Sequence, residues 1–195
     1  LTLAVNSFQL ELTQFFQPPV AVLMKLEQDH QDHYQGMAEY VKAKARMFAN
    51  QQPFDWAIVQ SEALAQIRSL GIELPSKVIT FSSSNRRADI SLNRGLIVSR
   101  VPGWEGPLLD FNECRLQGAH NAEIIMAALA VGRVLKISLD QSSEVLKNQP
   151  PLSHRCETVA EVNGILFIND SRSTNLAAME KTLTSMPPAP GGTPN

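Results

Sequence analysis

Cysteine is almost missing from this sequence. Cys114 and Cys156 are the only two in 195 residues, far apart and without C-x-x-C spacing, which excludes a disulfide framework and makes a reduced, cytoplasmic chain the expectation. No long block of one charge occurs either. Seventeen Lys and Arg stand against 19 Asp and Glu, a net charge of -2, so no nucleic-acid surface is expected. Apolar runs fall far short of the roughly 18 residues that span a bilayer, and the start, Leu1 to Thr13, lacks the basic lead-in of a signal peptide. Also missing is any G-x-x-x-x-G-K-[ST], the loop whose backbone and lysine cradle β- and γ-phosphates. What is present is 44% hydrophobic residues against 18% charged, enough to bury a sizeable core in one large domain, or in one domain and part of another.

Taken in order, Leu1 to Val5 reads as a strand already under way, as if the chain began inside a domain. Ser7 to Leu12 opens a helix, and Pro18-Pro19 stop anything helical before a buried strand from Val20 to Met24. Trp56 to Val59 and Lys77 to Ser82 are further strands. Between them the pattern predicts a helix from Ser61, its N-cap, to Leu70, closed by Gly71. Strand alternating with helix predicts an α/β fold, a mostly parallel sheet flanked by helices. From Ser83 to Cys114 the pattern changes, and Leu96 to Val98 and Leu108 to Phe111 read as short strands of a small antiparallel excursion.

His120 to Leu135 is an almost continuously apolar helix with its polar residues crowded into the first turn. Such a helix start suits an anion or nucleotide, although helix statistics alone put Asn121 first as a cap. A second helix runs from Leu139 to Lys147, and Asn148-Gln149-Pro150-Pro151 is the best linker in the chain. The expected division is therefore a domain over 1–148, a linker at 149–151, and the start of a second α/β domain over 152–195. In that second part, Glu157 to Val162 and Ile165 to Ile168 form a hairpin across Asn163-Gly164. The polar loop Asn169 to Asn175 then leads into a helix from Leu176 to Leu183, a ligand-binding position by placement. Pro187 to Asn195 is a Pro/Gly-rich ending.

The chain is organised around Leu26 to Asn50. Asp29-His30-Gln31-Asp32-His33-Tyr34 places metal- or proton-holding side chains just past a strand. After Gly36, Met37, Tyr40, Val41, Lys44 and Phe48 fall on one helical face. Lys44 on an apolar face admits two readings: a snorkelling stem, or an amine pointing into a site built with the Asp29-His30 loop. Periodicity does not choose between them.

Four separated pieces resemble one family. Ser7-Phe8-Gln9-Leu10-Glu11, Asp29-His30 with Lys44 downstream, Gly118-Ala119-His120-Asn121, and His154-Arg155-Cys156-Glu157 followed by Phe167-Ile168-Asn169-Asp170-Ser171 are similar to the motifs of the Mur ligases. In order and spacing they lie nearest its D-glutamate-adding branch. The resemblance implies most of a central ATPase domain, without its phosphate-loop part, followed by the beginning of a C-terminal domain. It implies ATP and Mg²⁺, with UDP-N-acetylmuramoyl-L-alanine and D-glutamate joined through an acyl phosphate for peptidoglycan synthesis, by a cytoplasmic enzyme that is a monomer when complete. Lys44 would carry a carbamate and hold the metal together with His30, the two forming the catalytic pair. Asn121, Arg155 and Asp170 would contact the nucleotide, the last two only when the domains close. Asn6, Ser7, Ser171, Arg172 and Thr174 would face substrate.

Several positions depart from the family pattern. Ala4 stands where a metal-ligand glutamate is usual, Asn6 where serine is, Arg172 in place of a lysine, and Ile124 where a second asparagine is common. The alternatives are another Mur ligase or a folylpolyglutamate synthase-like ligase, or a degenerate module that binds nucleotide without catalysis. With no phosphate loop, these 195 residues alone are expected to be inactive.

Overall fold

The computed structural model describes residues 1–27, 33–173, 179, 180 and 183. By internal contacts the chain divides into two compact units, Leu1–Lys147 and Asn148–Asn195. The first is built on a six-stranded sheet whose spatial order follows the chain, β1 (Val20–Leu23), β2 (Trp56–Gln60), β3 (Lys77–Ser82), β4 (Ile90–Asn93), β5 (Leu96–Ser99) and β6 (Gly106–Asp110). β1 to β4 pair in parallel, and β5 and β6 are antiparallel to their neighbours.

Alternation along the strands sends side chains to two cores. Ile58, Ile79, Phe81, Ile90 and Ile97 pack with α4 (Ala119–Val134), whose Ala122, Ile125, Met126 and Leu129 are at most 1% exposed. On the other face Ala21, Leu23, Ala57 and Val59 pack with Tyr40, Val41 and Phe48 from α2 (Met37–Ala45) and the 3₁₀ turn behind it, and with Ala63, Leu64 and Ile67 of α3 (Ser61–Ser69). The result is a helix–sheet–helix sandwich, the α/β architecture expected from the alternation. α5 (Leu139–Asn148) buries none of its residues. No helix among the described residues is long and apolar enough to cross a membrane.

Three expectations are corrected, and one strand is added. Leu1 to Val5 joins no ladder; Leu1 and Leu3 lie exposed, because an apolar stretch becomes a strand only by pairing, and β1 is paired only with β2. α1 (Ser7–Glu11) follows, capped by Asn6. The N-cap of α3 is Gln60, not Ser61: β2 runs one residue further, and the long Gln60 side chain reaches forward to accept from Ala63 N–H at 2.9 Å. α4 is capped by Gly118, at φ 93°, so Asn121 is not a cap; its amide donates backwards to Gln117 O at 2.7 Å. β4 is a further strand that the sequence reading lacks: Ile-Ser-Leu-Asn alternates over only four residues in a turn-rich stretch, and the fold buries Ser91 as well as Ile90.

The second unit holds the hairpin β7 (Glu157–Val162) and β8 (Ile165–Asn169), turned through Asn163 and Gly164 at φ 53° and 77°, the left-handed pair that a tight hairpin requires. Of the helix expected over Leu176 to Leu183, Met179, Glu180 and Leu183 are described, and all are helical; the rest, with Thr174 and the Pro/Gly-rich ending, lies outside the described residues.

Candidate active site

The parallel strands β1, β2 and β3 end at one edge, the edge where ligands bind in open α/β sheets. β1 leads into Lys25 and Glu27, then into residues 28–32, which carry Asp29 and His30 and lie outside the described residues. α4 brings its N-terminal end to the same edge. Glu123, two residues beyond Asn121 and 3% exposed, accepts from Ser83 N–H at 3.1 Å and from the Ser83 hydroxyl at 2.9 Å, just past β3. Its other oxygen lies 4.0 Å from Lys25 Nζ, just past β1. One buried carboxylate thus ties the ends of two strands to the first turns of the helix bearing Asn121.

Lys44 belongs to the opposite layer, beside α1. Its side chain is half-buried, and Nζ sits 5.8 Å from the Tyr40 ring centroid, within cation–π reach. Tyr40 packs at 5.5 Å against Tyr34, which stacks on Phe8 at 5.9 Å, and His33 wedges edge-on against both Phe8 and Tyr34. This aromatic cluster gathers α1, His33 and Tyr34, and the Lys44 helix at one place. Asn6 caps α1 reciprocally with Gln9, both bonds 2.9 Å. Ser7, expected to face substrate, is fully buried beneath the cluster.

Among the described residues, the Ser7 and Tyr34 hydroxyls are buried without a hydrogen-bond partner at good geometry. Burial pushes the Tyr34 phenol above its usual range; the Ser7 hydroxyl beside it opposes the rise and Glu11 adds to it. Removing an unpartnered hydroxyl removes its desolvation cost. Tyr34→Phe is therefore expected to leave stability in urea unchanged or to raise it by up to about 1 kcal/mol. A loss of about 2 kcal/mol or more would mean that the phenol has a partner.

In the second unit, two segments meet at the base of the hairpin. Asp170 accepts from Cys156 N–H at 3.1 Å with one oxygen and from the Ser173 hydroxyl with the other. Arg172 N–H donates to His154 O at 3.1 Å, and Asn169 Nδ2 lies 2.8 Å from His154 Nδ1. His154 and Cys156 both hold left-handed backbone, at φ 66° and 47°, uncommon away from glycine and concentrated at functional loops. Arg155, Ser171 and Arg172 are exposed around this knot. The knot joins His154 and Cys156 to Asn169, Asp170 and Arg172.

Residues 5–132 match the Mur ligase middle domain. The chain belongs to the Mur ligase family. It is 37% identical over 183 residues, 93% of its length, to the UDP-N-acetylmuramoylalanine--D-glutamate ligase of Pelotomaculum thermopropionicum, and 39% identical over 185 residues to that of Pelobacter propionicus. It spans 40% of the length of each of these relatives. Among solved structures, the MurF ligase of Thermotoga maritima in complex with ADP shares the fold at a TM-score of 0.62 and 15% identity, over 86% of this chain and 38% of that one.

Within this Mur ligase domain, the described residues hold no group of three or more His, Cys, Asp or Glu able to bind a metal. Ala4 is exposed and offers no carboxylate, and Lys44 offers a cation unless modified. The described donors therefore do not by themselves fit Mg²⁺, which wants six oxygens in near-octahedral array. Sequence reasoning passed over Glu123, Glu62 and the Ser82–Asn85 run. The available signal was a carboxylate inside the apolar face of α4, since buried charges are kept where they hold something.

Proposed function

We propose that this chain is the central part of an ATP-dependent ligase that joins D-glutamate to UDP-N-acetylmuramoyl-L-alanine in peptidoglycan synthesis. The observation that carries the reading is a match over 93% of the chain, reaching into both units, to the D-glutamate ligases named above. ATP transfers its γ-phosphoryl group to the alanyl carboxylate; the amine of D-glutamate then attacks the acyl carbon, and phosphate leaves as the amide forms. Each step needs positioning and exclusion of water more than covalent help.

In this proposal Asn121, at the α4 start, contacts the nucleotide, and Arg155 and Asp170 contribute from the second unit. Asn6, Ser171, Arg172 and Thr174 face substrate, while Ser7, being buried, shapes the floor beneath. Lys44 as a carbamate and His30 are the proposed metal ligands, and Mg²⁺, when bound, would shield the crowded phosphate charge. The reading carries a cytoplasmic location and a monomeric enzyme, and these 195 residues by themselves without turnover, for want of a phosphate loop.

Thermal-shift titration of the full-length gene product with Mg-ATP and with UDP-N-acetylmuramoyl-L-alanine tests this. A specific ligand at 100 times its Kd stabilises by about 2.7 kcal/mol, so both should raise the melting temperature; no shift with either would overturn the proposal. A second reading, nucleotide binding without catalysis, is favoured by Ala4 alone, and it predicts a shift with Mg-ATP but no amide product. Arg155→Ala should raise the KM for ATP about tenfold with little change in stability, since the side chain is exposed. An unchanged KM would remove Arg155 from the nucleotide site.

A further inference from the structure

Arg155 stands between two anchored neighbours. His154, before it, is held three ways: its N–H donates to Glu157 Oε2 at 2.7 Å, its carbonyl accepts from Arg172 N–H at 3.1 Å, and its ring nitrogen Nδ1 lies 2.8 Å from Asn169 Nδ2. Cys156, after it, donates its N–H to Asp170 at 3.1 Å. Both neighbours hold left-handed backbone, and Arg155 N–H itself donates to Leu152 O at 3.2 Å. The direction in which the exposed Arg155 side chain leaves the backbone is therefore set by bonds between the two segments at the hairpin base.

One of those bonds requires a particular protonation state. Ser171 N–H, which can only donate, points at Asn169 Oδ1 at 3.1 Å. That fixes the orientation of the Asn169 amide and turns its NH₂ group, which cannot accept, toward His154 Nδ1. Nδ1 must then be the acceptor, so the ring is neutral and carries its proton on Nε2. A proton added at Nδ1 sets donor against donor. Turning the amide over to offer its oxygen would set its nitrogen against Ser171 N–H, so one bond of the knot is lost either way. The charged ring is drawn instead to Glu157, whose Oε2 lies 3.7 Å from Nδ1. The remaining charged and titratable groups at the hairpin base are Arg155 and Cys156 beside His154, and Asp170 and Arg172 after β8.

We propose that His154 is a positioning residue for Arg155 that works only as the neutral Nε2–H tautomer, so that nucleotide affinity falls on acidification. This rests on the nucleotide-binding role given to Arg155 above. Histidine ordinarily changes charge between about pH 5 and 8, and apparent affinity scales with the fraction of protein in the competent form. The test is calorimetric titration of the full-length gene product with Mg-ADP across that range, in wild type and in His154→Asn. Asparagine keeps an oxygen acceptor near the place of Nδ1, tolerates left-handed backbone and does not titrate. The nucleotide's own phosphates titrate in the same range, so the readout is the ratio of wild-type Kd to variant Kd, in which the ligand's titration cancels. That ratio should rise about fivefold or more from about pH 8 to about pH 5.5. Asn169→Asp presents an oxygen to the ring in either charge state, so the same ratio taken against it should rise likewise, and it serves if His154→Asn does not fold. A ratio that stays constant across the range overturns this inference alone. Wild-type protein that does not bind Mg-ADP at any pH overturns the nucleotide reading and this inference with it.

Discussion

Lys44→Ala is expected to reduce amide-bond formation by the full-length gene product at least a hundredfold, a loss of about 2.7 kcal/mol of transition-state stabilisation. An ammonium beside Mg²⁺ and polyphosphate repels the cation it would need to hold, whereas a neutral lysine amine that adds carbon dioxide and sheds a proton becomes a carboxylate-like oxygen ligand. Lys44 is half-buried against the Tyr40 ring, next to the cluster that joins α1 to His33 and Tyr34. That setting orients the stem. Acetate or formate added to the alanine variant should restore part of the activity, because a short carboxylate can take the place of the missing carbamate. Full activity in the alanine variant would end the carbamate proposal, and a variant that is inactive but also unfolded by circular dichroism would place Lys44 in the scaffold.

Phe81→Ala should cost about 3–5 kcal/mol of unfolding free energy. Phe81 is 0% exposed in the parallel part of the sheet, facing the α4 core. Its loss opens a cavity that the flanking strands cannot collapse into, because their backbones are fixed by ladders on both sides. With total stabilities commonly about 5–15 kcal/mol, this single change removes a large share. The urea midpoint should fall with little change in slope. A loss below about 1 kcal/mol would mean that β3 and α4 are not packed as described.

Most of the first unit was legible because its strands are nearly continuous apolar runs separated by helical periodicity, and β3 from Lys77 to Ser82 was read to the residue. The failures share one cause, that local pattern does not see partners. Leu1 to Val5 alternates like a strand but has no ladder. Ile90 to Asn93 alternates over only four residues inside a turn-rich stretch, too short a signal without its ladder, and the burial of Ser91 depends on the sheet around it. At the candidate site the quoted motifs located α1, the α4 start and the hairpin base, yet Asn6 proved to be engaged as a helix cap and Ser7 proved buried. Glu123 was invisible for the same reason: its meaning comes from Ser83, forty residues away in sequence.

The most direct test of the account is phosphate release by the full-length gene product in the presence of Mg-ATP, UDP-N-acetylmuramoyl-L-alanine and D-glutamate, with each omitted in turn and with other amino acids substituted for D-glutamate. The account predicts release that requires all three and is matched mole for mole by amide product. Release or amide formation that proceeds as well with another amino acid, or no release under any combination, would contradict it.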